Sequence, residues 1–180
     1  MNSLKLYSIS DEYIEYLRNT IPEVYSNKIT HRAHSRKYLG VVININKYPY
    51  YIPLSSPKRS DYQYAAGKLV VKKSIVPIVR ITEKNSIGEK ELKGTLRISH
   101  MIPVPSSELT LYNLDDEKDI QYKNIVFSEL RFIRKNSEMI LKRAHTMYTQ
   151  KIQNNESATY IKSALDYHRL EKLFDNYKHE

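Results

Sequence analysis

The sequence has no cysteine, no tryptophan, and only four glycines among its 180 residues. Without cysteine there is no disulfide, no thiol nucleophile and no thiolate metal site. The glycines, Gly40, Gly67, Gly88 and Gly94, are too scattered to build a phosphate-cradling loop or a dinucleotide fingerprint. An HExxH zinc motif is absent as well. His31 and His34 stand three apart in polar, non-periodic surroundings, so no metal role is assigned to them and no cofactor is expected. No apolar run reaches membrane-spanning length, and the start MNSLKLYSISDEY lacks the apolar core of a signal peptide. The expectation is a cytoplasmic chain with no membrane partner.

What is present is positive charge and tyrosine. Twenty-nine Lys and Arg oppose 20 Asp and Glu, a net charge of +9, and there are 16 Tyr against three Phe. Such a balance draws a protein to polyanions, because each neutralised phosphate releases condensed counterions. Tyrosine can stack on bases, and it serves equally well as a core residue with a polar edge.

Along the chain, Lys5 to Ile9 reads as a strand, and Ser10 caps a helix carrying Tyr13, Ile14, Leu17 and Ile21, ended by Pro22. Ser26 to Lys37 is polar and non-periodic, and is expected to be a surface loop. Tyr38 to Ile45 and Tyr48 to Ile52 form a hairpin. Pro53 and Pro57 then bracket Leu54-Ser55-Ser56 in a stiff loop. Ile75 to Ile81 and Thr95 to Ser99 are expected strands, with MIPVP from Met101 to Pro105 at a sheet edge. The remainder is helical: Ile120 to Ile133, a helix capped by Asn136 or Ser137, and a third spanning Ala158 to Tyr177. The acids Asp115, Asp116, Glu117 and Asp119 precede the first of these, where carboxylates meet the helix dipole favourably. Strands first and helices last give an α+β class, an antiparallel sheet packed by helices, in one domain over residues 1–180.

Ser55, Ser56 and Lys58 are the chemistry-bearing group. RNA cleavage needs no protein nucleophile, since the ribose 2′-OH can attack phosphorus. The protein must place that oxygen in line, stabilise the phosphorane charge and move protons. Hydroxyls beside a lysine on a proline-stiffened loop suit phosphate positioning and charge stabilisation.

The ordered blocks KLYSISDEYIEYL, RKYLGVVININKYPYYIPLSSPK, RISHMIPVP and FSELRFIRKNSEMILKRAHTMY resemble the ToxN/AbiQ toxins of type III toxin–antitoxin systems. The resemblance runs from about Lys5 to Tyr148. It implies a metal-independent endoribonuclease with a compact, strongly curved antiparallel sheet flanked by helices, distantly similar to the MazF/Kid toxins. It implies cleavage of adenine-rich single-stranded RNA to a 2′,3′-cyclic phosphate, and abortive phage infection. The implied partner is an RNA antitoxin of tandem repeats, trimmed by the toxin and bound in a closed ring. The family's essential serine falls on Ser56, preceded by Ser55. Its loop lysine falls on Lys58, its first-helix tyrosine on Tyr13, and a basic residue before the G-V-V strand on Arg36 or Lys37. RNA contacts are expected at Arg59, Arg32, His34, Arg134 and Lys135. Two other readings are a non-catalytic RNA-binding regulator and a basic adaptor.

Overall fold

A computed structural model of the chain describes residues 4–28, 34–155 and 157–177. Its strands are β1 (Lys5–Ile9), β2 (Tyr38–Ile45), β3 (Tyr48–Ser55), β4 (Tyr62–Ala65), β5 (Lys68–Val71), β6 (Val79–Lys84), β7 (Lys90–Leu96), β8 (Ile102–Pro103) and β9 (Leu109–Leu111). The helices are α1 (Asp11–Arg18), α2 (Ile120–Lys135), α3 (Ser137–Ile152) and α4 (Tyr167–Asn176). The α+β class expected from sequence is what the chain adopts, with an antiparallel sheet and helices.

The main sheet runs in the order β6-β7-β3-β2-β1-β9, with β8 also paired to β3, and β4-β5 forms a separate hairpin. β3 is its hub. Its first half pairs with β8 (Tyr50 with Pro103), while its last residues pair with β7 (Leu54 with Leu96, Ser55 with Thr95). Register shifts interrupt β2 between Leu39 and Ile43, and β6 between Ile81 and Thr82. Such bulges bend a strand and increase its twist.

Both faces of β3 are buried: Tyr50 is 0% exposed and Tyr51 4%. Tyr51 lies where a side chain on Gly40 of β2 would stand, so only glycine admits the ring. Its edge meets Tyr7 at 5.6 Å. On the other face, the Tyr50 and Tyr148 hydroxyls each donate to Glu171 Oε1 at 2.8 Å, which ties β3 to α3 and α4. The alternation of Tyr50 and Tyr51 is thus spent on packing.

Local chemistry sets the helix starts. Ser10 Oγ accepts from the Tyr13 N–H, and Asp119 accepts from the Gln121 and Tyr122 N–H groups. Of the acidic cluster, Asp119 therefore caps α2. Four expectations require correction. The helix expected over Ala158–Tyr177 is a 3₁₀ turn (Thr159–Ser163) followed by α4, because Asp166 caps a new start by accepting from the Arg169 N–H. Ile75 to Ile78 closes a tight turn on Pro77 rather than a strand, and Ile98–His100 is likewise a 3₁₀ turn. The helix ahead of Pro22 stops at Arg18 with Asn19 as its C-cap. Among the described residues, no helix is long and apolar enough to cross a membrane.

Candidate active site

β3 runs past Pro53, whose ring occupies a paired strand position opposite Tyr38. The bracketed loop expected from the two prolines is therefore shorter: Leu54 and Ser55 belong to the strand, and the chain emerges only at Ser56. Ser55 is 5% exposed, whereas Ser56 to Ser60 are all exposed.

The emergent loop is held from below by Asp61, which is fully buried. Its carboxylate accepts from the Lys58 backbone N–H at 2.9 Å, and pairs with Arg80 at 3.2 Å and Arg97 at 3.4 Å. Arg80 also donates to the Lys73 carbonyl at 2.8 Å. Two guanidinium groups thus compensate one buried carboxylate, which in turn fixes the backbone of Lys58.

Arg36 and Lys37 precede β2 in the stretch expected as surface loop. The stretch has no regular structure where it is described, yet both side chains are buried. Arg36 donates from Nη1 to the Leu54 carbonyl and to Ser55 Oγ, both at 2.9 Å, and its guanidinium lies 4.6 Å from the Tyr25 ring centre. Lys37 donates to Ser35 Oγ at 3.1 Å and lies over the Tyr112 ring at 4.5 Å. Burial lowers the Lys37 ammonium below its usual pKa, against a smaller opposing pull from Glu117. The two basic residues therefore differ in kind. Arg36 is a permanently charged brace under Ser55, and Lys37 is a softened ammonium.

Two pockets open on either side of Arg36 and Ser55. One is lined by Lys37, Ser56, His34, Tyr122, Ile125 and Glu129, the other by Tyr25, Arg18 and Lys58. His34 stacks on Tyr122 with ring centres 3.8 Å apart and bonds Asp119 at 3.2 Å. At the second pocket, Tyr25 stacks on His100 at 4.5 Å. Burial, with Arg97, Lys58 and Arg36 nearby, pushes the His100 imidazole down to about 4.

Ser55, Ser56, Arg36, Lys37 and His34 thus line one pocket, and Lys58 meets Arg36 and Ser55 in the other. Arg59 is exposed on the same loop. Tyr13 does not join them. It is 0% exposed, its hydroxyl donates to the Pro103 carbonyl at 2.8 Å, and burial raises its phenol well above the ordinary range. Tyr13, expected at the site, is a buried tyrosine of the core that lines neither pocket. Arg134 and Lys135 are exposed at the far end of α2 and line neither pocket. Arg131 pairs with Glu83, and Phe132 packs partly buried against the core. His31 and Arg32 lie outside the described residues.

Sequence reasoning passed over Glu129, His100, Tyr25 and Asp61. His100 stood in the quoted block RISHMIPVP, where a histidine beside a proline-rich edge was a signal available to use. Glu129, in FSELRF, carried none, because nothing local distinguishes it from the acids on exposed helix faces. Among the described residues, no three His, Asp or Glu side chains are grouped so as to hold a metal ion.

Known proteins share this sequence and fold. The chain is 29% identical to endoribonuclease ToxN of Pectobacterium atrosepticum over 163 residues, 91% of this chain and 90% of that one. It is 31% identical to endoribonuclease AbiQ of Lactococcus lactis over 169 residues, 94% and 86% of the two chains. Its fold superposes with a TM-score of 0.79 on a solved toxin of a bacterial type III toxin–antitoxin system inhibited by a non-coding RNA pseudoknot. That pair shares 25% identity over 99% of this chain and 100% of the other. Residues 5–175 match the toxin ToxN family of type III toxin–antitoxin systems. The chain belongs to that family.

Proposed function

We propose that this chain is an endoribonuclease toxin that cuts adenine-rich single-stranded RNA without a metal ion. The ribose 2′-OH attacks the adjacent phosphorus, leaving a 2′,3′-cyclic phosphate and a 5′-hydroxyl. One observation carries the reading: the exposed Ser56 emerges at a strand end with Arg36 and Lys37 beside it in one pocket and Lys58 at the other. A phosphodiester seated there meets hydroxyl and cationic donors fixed before it arrives, which is the arrangement that lowers the cost of a phosphorane.

Ser56 donates to a non-bridging oxygen or orients the 2′-OH. Ser55, braced by Arg36, holds the strand end in register. Arg36 and Lys58 supply positive charge. Lys37, whose ammonium is made more acidic by burial, is the member of the Arg36–Lys37 pair able to exchange a proton. Arg59, His34 and Arg32 guide the strand, and Arg134 with Lys135 offers a separate basic contact along α2.

By the same reading, an RNA antitoxin of tandem repeats is trimmed by the enzyme and held with it in a closed ring, silencing the site until phage infection. The whole chain acts as one cytoplasmic domain, with a sheet akin to the MazF/Kid core. The test is incubation of purified protein with adenine-rich RNA in EDTA, with end-group analysis. Wild type yields cyclic-phosphate ends, and Ser56→Ala lowers the rate at least ~100-fold, as loss of one fixed donor to a developing oxyanion does. RNA bound but left intact would support a non-catalytic regulator. Cleavage undiminished in Ser56→Ala would remove the serine from the mechanism.

A further inference from the structure

The pocket beside Ser56 has a floor that the chemistry above leaves unused. Glu129 of α2 is 8% exposed and lines that pocket with Tyr122, Ile125 and Leu54. Its carboxyl has no hydrogen-bond or ion-pair partner among the described residues. A helix surface that needed only packing there would carry leucine. The space is made on purpose from the opposite side: a side chain on Gly94 of β7 would strike the Glu129 carboxyl oxygen, and the Ser55 carbonyl lies 3.4 Å from that same point.

We propose that Glu129 is the specificity-determining residue of this pocket, reading the edge of an adenine whose phosphate lies at Ser56. The inference rests on the endoribonuclease reading and specifies what the site selects. The pocket combines an apolar wall (Leu54, Ile125, the Tyr122 ring), which suits a base plane, with polar groups (Ser55, Ser56, Lys37) at one side, which suit a phosphate.

An unpaired carboxyl taken out of water holds its proton, because nothing repays the desolvation of the charge. Burial pushes Glu129 up to about 8. A neutral carboxylic acid presents one O–H donor next to one carbonyl acceptor. Adenine presents the complementary pair, an N6–H donor beside the N1 or N7 acceptor. Guanine offers O6 beside N7, two acceptors, on one edge, and O6 beside the N1–H and N2–H donors on the other. A neutral acid meets only one acceptor of the first edge, and on the second it pairs with O6 and N1–H but leaves the N2–H donor without a partner in an otherwise apolar wall. Glutamine has the same donor–acceptor pair as the neutral acid, whereas alanine has neither.

The test uses single-stranded RNA 12-mers that differ at one position next to the scissile phosphate: adenosine, purine riboside (no N6 amine) or guanosine. Cleavable strands are paired with versions carrying a single 2′-deoxy sugar that blocks cutting, so that binding is read separately. Wild type is expected to bind the adenosine strand roughly 10- to 100-fold more tightly than the purine riboside strand, the discrimination a paired contact gives. Glu129→Gln retains this preference, and Glu129→Ala binds the three strands alike. Gly94→Ala, which displaces the carboxyl without altering it, also loses the preference. Discrimination unchanged in Glu129→Ala would overturn the proposal, as would loss of the preference in Glu129→Gln, which keeps the same donor–acceptor pair. Failure of wild type to cut any strand would instead sink the endoribonuclease reading, with the binding arm still deciding the role of Glu129.

Discussion

At the scale of single residues, chemistry is decided by what each side chain is already committed to. Tyr13 shows this most directly. Its hydroxyl is spent on the Pro103 carbonyl, and its ring lies against Tyr16 and Tyr177. Tyr13→Phe is expected to lower stability by about 1–3 kcal/mol, because a buried carbonyl loses its donor, with turnover per folded molecule unchanged. Loss of turnover at full stability would return Tyr13 to the site. The residues legible in sequence were those whose type alone suggested chemistry, Ser55, Ser56 and Lys58, and even these gained a role only from the ordered family blocks. Arg36 and Lys37 could not be told apart in sequence, since adjacent basic residues carry no sign of which one is braced against a strand carbonyl. Glu129 was invisible for a different reason. Its burial depends on Gly94, thirty-five positions away on another strand.

At the scale of elements, the sequence was most informative where the determinants are local. Ser10 announced its helix through a cap, the acids ending at Asp119 announced theirs through the helix dipole, and the β2–β3 hairpin followed from β-branched patterning. Where the determinant was a second cap inside an apparently continuous pattern, as at Asp166, a split helix read as one. The Asn46-Lys47 turn was recognised, whereas the β4–β5 hairpin was not. Its residues are mostly exposed, with Tyr64 77% and Leu69 59% exposed, so no alternating burial marked it. The loop after β3 depends on Asp61 as a buried ionic post. Asp61→Ala leaves Arg80 and Arg97 without their shared counter-charge, and a cost of about 3–5 kcal/mol is expected in urea denaturation. Asp61→Asn keeps an acceptor for the Lys58 N–H and should recover part of the catalytic rate at temperatures where both variants are folded. Equal rates in the two variants would show that the post holds the fold alone and not the loop.

At the scale of the whole molecule, charge and protonation set working conditions. Four cations near Ser56 (Arg36, Lys37, Lys58 and Arg59) can each neutralise about one phosphate. A single-stranded site of that size gives a slope near −2.8 in log affinity against log salt, roughly −0.7 per phosphate. Lys58→Ala should make the slope shallower by about 0.7 in a binding titration. An unchanged slope would remove Lys58 from phosphate contact. Protonation acts on stability in two windows. Glu129 rises from 4.5 to about 8 on folding, so its contribution is complete below about pH 4.5 and is lost as pH rises through 8. His100 falls from 6.5 to about 4, so its contribution is complete above about pH 6.5 and is lost as pH falls through 4. Wild type should therefore lose thermal stability between pH 6.5 and 8, and Glu129→Gln should hold steady over that range while keeping the acid-side decline. A decline of the same size in Glu129→Gln would place its origin elsewhere.

The clasp of Tyr50 and Tyr148 on Glu171 also gives the protein an optical property. With no tryptophan to dominate, its ultraviolet emission comes from phenols alone, and a phenol bonded to a carboxylate is dark. Two rings at the centre of the molecule are therefore silenced only while β3, α3 and α4 stay docked, so emission should brighten as these three elements part.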